Sequence, residues 1–295
     1  MKFKTIIIFV LITAAFGAGV YFRDDAIKFY DSANWRINKQ VQDLKKADIG
    51  QIISEVQKQV FMPAPLNVGG AEKQVVLLQS KIIAETNLQR QQNGNLPALK
   101  ENTKLYEAAL GKANDMFLNQ YFEHVSLLGV DPGKLVQNYG YDYIVAGENL
   151  ILGNFSTEKE VIDNWMASPG HRANILNNRY TEIGVAIIKG TYKGENVWIG
   201  VQEFGLPLST CSRPDEDLKN QIDLEKTQLD FLSSQIDERK TEINDRNPKS
   251  AAYSQMIDDY NQLIENYNSL AEQVKESIAR YNEQVNVFNN CVAGK

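Results

Sequence analysis

The sequence has few of the residues that usually mark a protein's chemistry. Its 295 residues include two cysteines and two histidines, and the formal net charge at pH 7 is −6. Two cysteines in a chain of this length do not make a disulfide framework. An acidic balance argues against nucleic acid as a principal partner. What is left is a chain long enough for about two domains, with a substantial core.

One uncharged, largely apolar run stands near the N-terminus. It extends over residues 5–22 and follows Lys2 and Lys4. As a helix it would reach about 27 Å, close to the ~30 Å of a bilayer core. The preceding lysines favour a single-pass anchor in residues 1–22, with the bulk of the chain outside the cell membrane. The alternative is a cleaved signal peptide and a secreted protein, because Ala15-Phe16-Gly17 partly fits a cleavage site.

Two further segments precede the globular part. Apolar residues recur at helical spacing over 23–61, for example at Phe29, Ala33 and Ile37. This period predicts an amphipathic helical stalk. Residues 62–72 contain two prolines followed by Gly69-Gly70, a composition typical of a linker.

Residues 73–207 alternate between helical and extended patterns. Helices are predicted over about 73–91, 103–118 and 135–139, and a further helix is capped by Thr157 and Glu160. Pro169-Gly170 is predicted to end that last helix. Strands are predicted around 143–152, 183–188 and 197–204, the last two joined as a hairpin. These segments therefore form one globular domain.

The C-terminal part, residues 208–295, has a different composition. No glycine occurs between 214 and 290, and apolar or tyrosine side chains recur every seven residues on both sides of Asn247-Pro248. This pattern predicts an antiparallel coiled-coil hairpin, a candidate surface for a protein partner. Cys211 and Cys291 flank the hairpin, so they are predicted to form a disulfide that closes a loop of about 80 residues.

Both histidines lie in the central domain. His124 follows a predicted helix, His171 follows Pro169-Gly170, and Glu148 falls between them in sequence beside a predicted strand. Imidazole suits proton transfer near neutral pH or metal binding, and a nearby carboxylate would orient the rings. Spacing alone does not bring the three together, and for Glu148 a structural ion pair is as good an interpretation as a chemical role.

A set of short motifs occurs in a characteristic order. The motifs are Asn87 to Arg90, His124, Gly147-Glu148-Asn149, the helix through Trp165, Ser168 to Leu176 and Ile183-Gly184-Val185. Over residues 75–207 this order closely resembles the bacterial branch of the CAP superfamily (cysteine-rich secretory proteins, antigen 5 and pathogenesis-related proteins). The resemblance implies an α+β fold, a three-layer α-β-α sandwich, whose cleft carries two histidines and one or two glutamates.

Carried over by motif, the cleft would hold His124, Glu148 and His171. Animal and plant members usually place a second glutamate where this chain has Ser168, so the second carboxylate is absent or comes from elsewhere. The resemblance favours an extracytoplasmic binding module for a lipid, peptide or envelope component. The alternative is a metal-dependent hydrolase acting on peptide or cell-wall material, with zinc or another divalent metal on the two histidines and Glu148 in support. Whether the protein is an enzyme stays open at this point.

Overall fold

The computed structural model describes residues 58–247 and 250–294, together with Lys39 and Asp43. The chain divides into two compact units. Of the described residues, the sheet unit holds 58–214 and 284–294, and the helical unit holds Lys39, Asp43, 215–247 and 250–283. The predicted anchor at 5–22 lies outside the described residues. Among the helices that are described, none has both the length and the apolar composition needed to cross a bilayer.

The sheet unit is built on one mixed sheet. Its strands are β1 (Gln59–Phe61), β2 (Leu66–Gly69), β3 (Lys100–Glu101), β4 (Tyr143–Gly153), β5 (Glu182–Tyr192) and β6 (Glu195–Pro207). The order across the sheet is β1-β4-β6-β5-β3, and β2 also pairs with β4. The long strands β4, β6 and β5 are antiparallel, whereas the three short strands join in parallel. One edge of β4 is therefore shared by β1 and β2.

The helices described in the sheet unit before residue 214 are α1 (Gln79–Gln92), α2 (Thr103–Asn119), α3 (Pro132–Asn138), α4 (Glu158–Ala167) and α5 (Pro169–Ile175). Three of them begin after a side chain that accepts backbone N–H groups of the first turn. These capping residues are Asn102, Asp131 and Thr157. Such caps satisfy donors that would otherwise lack a partner. The α4 cap was expected from the sequence, and there Glu160 also accepts the backbone N–H of Ser156 at 2.7 Å.

The two faces of the sheet carry separate apolar cores, because neighbouring side chains on a strand point in opposite directions. On β5, Ile183 and Val185 belong to the same cluster as Trp165 of α4. Ala186, between them and the strand's end, instead joins Met116 of α2. Helices thus cover both faces of a mixed sheet, which agrees with the α+β class expected from the motifs.

The segment before the domain differs from the prediction. The sequence predicts a helical stalk to residue 61 and a linker over 62–72, but residues 59–61 and 66–69 are strands paired with β4. The edge of β4 offers unpaired backbone groups that an extended segment can satisfy. The two prolines, which lack an N–H to donate, lie between the strands, where the ladder needs no donor. Of the stalk, only Lys39 and Asp43 are otherwise described, and both are helical.

The helical unit contains α6 (Glu216–Asn244) and most of α7 (Ala251–Ala293). On α6 the buried side chains recur every seven residues: Ile222, Leu229, Ile236 and Ile243. Burial and the Asp230 carboxylate raise the pKa of Tyr267 to about 12, and burial and Glu216 raise that of Tyr281. Tyr281, the later of the two tyrosines, thus lies near Glu216, the earlier of the two carboxylates. Two helices that run antiparallel produce this order. The supercoil of a coiled coil stays a prediction.

The predicted disulfide is confirmed. Cys211 and Cys291 are bonded, with their Cα atoms 5.8 Å apart and a sequence separation of 80. Both belong to the sheet unit, and Cys211 shares an apolar cluster with Phe288 and Val292 near the end of α7. The sheet unit therefore includes residues 284–294 near the end of α7, whereas the sequence places the start of the hairpin region at 208.

Candidate functional site

The site begins with two glutamates on neighbouring strands. Glu148 of β4 and Glu203 of β6 are direct partners in the antiparallel register, and both are fully buried. Directly opposed residues of such a pair project to the same face, with Cβ atoms roughly 5 Å apart. Glu203 alternates with Val201 and Ile199, which belong to the core under α2. Two carboxyl groups are therefore held side by side in the interior.

Two like charges in this position repel each other strongly. Burial raises the pKa of Glu203 well above its usual range, and the adjacent Glu148 carboxylate raises it further. Both effects favour the acid form of Glu203. Among the described residues, neither oxygen of Glu203 nor Oε2 of Glu148 has a hydrogen-bond partner outside this pair. A hydrogen bond between the two carboxyl groups also raises the pKa of Glu203. In its acid form, Glu203 has an O–H group that can donate a hydrogen bond to the second oxygen of Glu148.

A buried lysine supplies the positive charge of the site. Lys112 of α2 is 2% exposed, and its Nζ donates to the backbone carbonyl of His124 at 2.6 Å and to the Tyr121 hydroxyl at 3.3 Å. Burial lowers the pKa of Lys112, while Glu148 and Glu203 act in the opposite direction. The lysine therefore fixes the loop that carries His124 and offsets the charge of the carboxyl pair.

Both ring nitrogens of His124 are engaged. Nδ1 lies 2.5 Å from Oε1 of Glu148, and Nε2 contacts the backbone carbonyl of Pro63. A carbonyl oxygen only accepts, so Nε2 carries a proton. The Nδ1 contact then joins the ring to the carboxyl pair, either as a donor to ionised Glu148 or as an acceptor from its acid form. The expected meeting of His124 with Glu148 is present in the structure.

His171 lies in the first turn of α5 and is 1% exposed. The sequence predicts that Pro169-Gly170 ends a helix, but Pro169 instead begins α5, because proline is well suited to a first helical position. Burial lowers the pKa of His171 to about 4, a charge on His124 acts in the same direction, and the Leu150 backbone opposes both. The ring is therefore neutral at pH 7.

Ser168 orients the His171 ring. Its Oγ lies 2.8 Å from Nδ1 of His171, while Nε2 has no hydrogen-bond partner among the described residues. Ser168 occupies the position where the resemblance leads one to expect a glutamate. The second carboxyl group of the cleft comes instead from Glu203, on another strand. The cleft therefore retains two acidic side chains with one of them relocated.

The segment that precedes the domain closes the site. Residues 58–70, called the strap here, contain β1, β2 and the turn between them. Pro63 in that turn gives its carbonyl to His124, and Phe61 gives its carbonyl to Nδ2 of Asn174 at 3.1 Å. Asn174 also donates to the carbonyl of Glu148 at 3.1 Å. The strap is thus bonded to the same residues that form the cleft.

The structure tests how well these side chains fit a metal ion. Neither ring nitrogen of His124 is available to bind a metal, because Nδ1 faces Glu148 and Nε2 faces the carbonyl of Pro63. No group of three or more histidine, cysteine or acidic side chains within residues 58–247 and 250–294 is arranged to hold a metal. The residues as they stand do not fit zinc, and the zinc site stays a prediction that requires the strap to move.

The remaining motif residues are structural. Asn87 exchanges two hydrogen bonds with the backbone of Leu99, at 2.8 and 3.1 Å. Arg90 is fully buried and donates to the carbonyls of Ile175 and Asn177, both at 2.8 Å. These bonds fix the chain that follows α5. They hold the position of His171 without entering the cleft.

Sequence reasoning missed Glu203, Lys112 and Pro63. The pattern of β6 contained a signal for the first, because Val197, Ile199 and Val201 alternate and Glu203 occupies the next position of that apolar face. Lys112 likewise interrupts the apolar side of α2 between Ala109 and Ala113. A charged residue in an apolar stripe is costly unless it is paired, so such interruptions indicate a site. No signal identifies Pro63, since its role depends on tertiary contact.

Comparison with known proteins finds one matching family and several similar bacterial proteins. Residues 83–204 match the model of the Cysteine-rich secretory protein family, CAP. Uncharacterized protein YkwD of Bacillus subtilis (strain 168) is 39% identical over 126 residues, 43% of this chain and 46% of that protein. Uncharacterized membrane protein YlbC of the same organism is 32% identical over 114 residues, 39% of this chain and 32% of that protein.

A solved structure is also similar. The crystal structure of an extracellular protein containing a SCP domain from Bacillus anthracis str. Ames is 31% identical, covers 43% of this chain and 39% of its own, and has a TM-score of 0.37. The chain matches less than half the length of each Bacillus subtilis relative. The family match and the two Bacillus subtilis relatives identify residues 83–204 as a CAP domain similar to those of bacterial members of the superfamily.

Proposed function

We propose that the protein is an extracytoplasmic, membrane-tethered binding module whose CAP domain holds its ligand at the cleft of His124, Glu148 and His171. The observation that supports this best is the contact between His124 Nε2 and the carbonyl of Pro63. His124 contacts a backbone carbonyl through Nε2, and Glu148 orients the ring through its contact with Nδ1. This is the arrangement of a recognition site, in which a polar network is fixed before the ligand arrives.

The tether is proposed from residues 5–22. Protease added outside intact cells should degrade the CAP domain, and the protein should remain in the membrane fraction. Recovery of a mature chain that begins near Val20 would instead support a cleaved signal. The exposed Leu224 and Phe231 of α6, 60% and 64% exposed and seven residues apart, support a second proposal, a protein partner on the helical unit.

The second candidate function is a metal-dependent hydrolase. The observations in its favour are that Nε2 of His171 has no hydrogen-bond partner among the described residues, and that the carboxyl groups of Glu148 and Glu203 lie side by side on neighbouring strands. These are ligand types that zinc accepts. A zinc titration of the purified protein at pH 7 should then show near-stoichiometric uptake that weakens at acid pH, because a protonated imidazole does not bind metal. Equal uptake by wild type and by a His124→Ala, His171→Ala double variant would remove this candidate.

One experiment separates the two functions. The full chain is incubated with casein and with purified peptidoglycan, with and without added zinc, and product release is followed beside the His124→Ala and Glu148→Gln variants. The binding proposal expects no turnover under any condition. Release of fragments that both substitutions abolish, with the fold intact by circular dichroism, would favour the hydrolase.

A further inference from the structure

The strap lies on the cleft in the way that an extended peptide would lie on a sheet edge. Residues 59–61 pair with 145–147 of β4, and residues 66–69 pair with 151–153, both in parallel. Between them, residues 62–65 leave the ladder beside positions 148–150 and place Pro63 against His124. Addition of an extended segment to an exposed edge is a general mode of peptide recognition.

The domain binds the strap through its backbone. His124 contacts the carbonyl of Pro63, Asn174 donates to that of Phe61, and the N–H of Asn154 donates to Gly69 at 2.8 Å. Nδ2 of Asn154 donates to the carbonyl of Gly70 at 3.1 Å. These contacts do not depend on the side chains of the strap, so other extended segments can make them.

Three glycines make room for strap side chains and so select among segments. A Cβ on Gly170 would lie 2.6 Å from Cβ of Pro63, and one on Gly133 would lie 2.9 Å from Val60 as well as 2.1 Å from the Tyr143 hydroxyl. A Cβ on Gly153 would lie 2.5 Å from Val68. Each distance is too short for a real contact. The edge therefore accepts an apolar residue, a proline three positions later and a second apolar residue five positions beyond.

The strap is held less firmly than the core strands. Its paired pieces are three and four residues long. Phe61, Met62 and Val68 remain 43%, 47% and 37% exposed, so little apolar surface is buried. Segments of this kind open at low free energy. The strap also lies before residue 83, where the family match begins.

We propose that the cleft is a receptor for an extended segment of another polypeptide, with the strap as its resident occupant. The ligand has the strap's chemistry, an apolar side chain followed three residues later by a proline whose carbonyl binds His124. The inference rests on the proposed binding function and names its ligand class. The strap competes with the ligand at the high effective concentration of a tethered segment, so the free site is offered only when the strap leaves.

The test uses the full chain and a fluorescein-labelled peptide of residues 58–70. A strap variant, Val60→Asp with Val68→Asp, weakens the resident occupant, and Leu127→Asp with Leu128→Asp, on residues 69% and 92% exposed, is the matched control. Fluorescence anisotropy should show at least about tenfold tighter binding by the strap variant than by wild type or the control. Adding Gly170→Val to the strap variant should weaken binding at least tenfold. A peptide with Pro63→Asp should bind poorly.

Equal affinity of wild type and the strap variant, or binding that ignores Gly170→Val, overturns the inference. If the strap variant does not fold, hydrogen exchange of the wild type decides: strap amides should exchange much faster than the β4–β6 ladder, and equal protection overturns the inference. Phosphatidylglycerol vesicles form a separate arm. Vesicle binding without peptide binding rejects the peptide class and leaves the binding module, whereas failure of both rejects the proposed function as well.

Discussion

The helical unit and the cleft of the sheet unit treat buried polar groups in opposite ways. In the described part of the helical unit, the buried positions are apolar or tyrosine side chains, with Ser277 the one other buried polar residue. The cleft instead buries carboxyl, imidazole and ammonium groups from four separate elements: Glu148, Glu203, His171 and Lys112. Burying charge costs free energy unless partners offset it. The helical unit is therefore stabilised by packing. Burial of charged groups in the cleft costs folding free energy, which is typical of a binding site.

The same contrast explains what the sequence could predict. A seven-residue repeat is local, so the burial of Ile222, Ile236 and Tyr267 was readable from spacing. The pairing of His124 with Glu148 came from resemblance, because 24 residues separate them and only a fold joins them. Glu203 and Pro63 were missed, since the first depends on strand register and the second on an edge that the sequence describes as a linker.

The largest effect should come from the disulfide between Cys211 and Cys291. Replacing Cys211 and Cys291 by serine should lower the free energy of unfolding by about 4 kcal/mol, because the reduced chain regains the entropy of an 80-residue loop. Urea unfolding of oxidised wild type and the double serine variant measures this. Unchanged stability would mean that the unfolded chain is already constrained by other contacts.

A cavity in the helical unit should have an effect of similar size and should be indifferent to pH. Ile236 is fully buried in a purely apolar position, so Ile236→Ala should lower stability by about 2–5 kcal/mol. The loss should be the same at pH 5 and pH 8. A pH-dependent loss would show that packing here is coupled to ionisable groups and would break the contrast with the cleft.

The cleft should respond to pH with a definite sign. The unfolded chain protonates His171 near pH 6.5, whereas the folded chain does so near 4. The unfolded state therefore binds more protons across this window, and stability falls as pH drops from about 6.5 to 4, by about 3 kcal/mol in all. His171→Gln should remove this part of the pH dependence. Parallel stability curves for wild type and variant between pH 4 and 7 would contradict the prediction.

Glu203 should act with the opposite sign. Its folded pKa is raised, so the stability that its acid form provides is present below the ordinary carboxyl range and is lost as pH rises above that range. Glu203→Gln copies the acid form and should raise stability at pH 8 while changing little at pH 4. Chemical denaturation at these two pH values measures the effect, and Val201→Ala serves as a packing control on the same face. A loss at pH 8 would mean that Glu203 is ionised there.

The smallest effect should come from the helical unit's tyrosines. The Tyr267 hydroxyl is buried, and no hydrogen-bond partner for it is found among the described residues. Tyr267→Phe removes only that hydroxyl, so stability should change by no more than about 1 kcal/mol, in the stabilising direction. Thermal unfolding beside Tyr267→Ala separates the hydroxyl from the ring. A clear loss for the phenylalanine variant would mean that the hydroxyl is satisfied by ordered water.

The assignment of residues 284–294 to the sheet unit has a consequence for biosynthesis. Phe288 and Val292 belong to the same apolar cluster as Trp165 and Phe204, so that cluster is incomplete until residue 292 has been made. A unit split in this way cannot finish folding as it emerges from the ribosome, although domains generally fold in the order of synthesis. Cys211 must likewise wait for Cys291. A chain that stops translation within α7 therefore leaves an exposed apolar face and an unpaired thiol, which quality-control proteases and thiol oxidants can both detect.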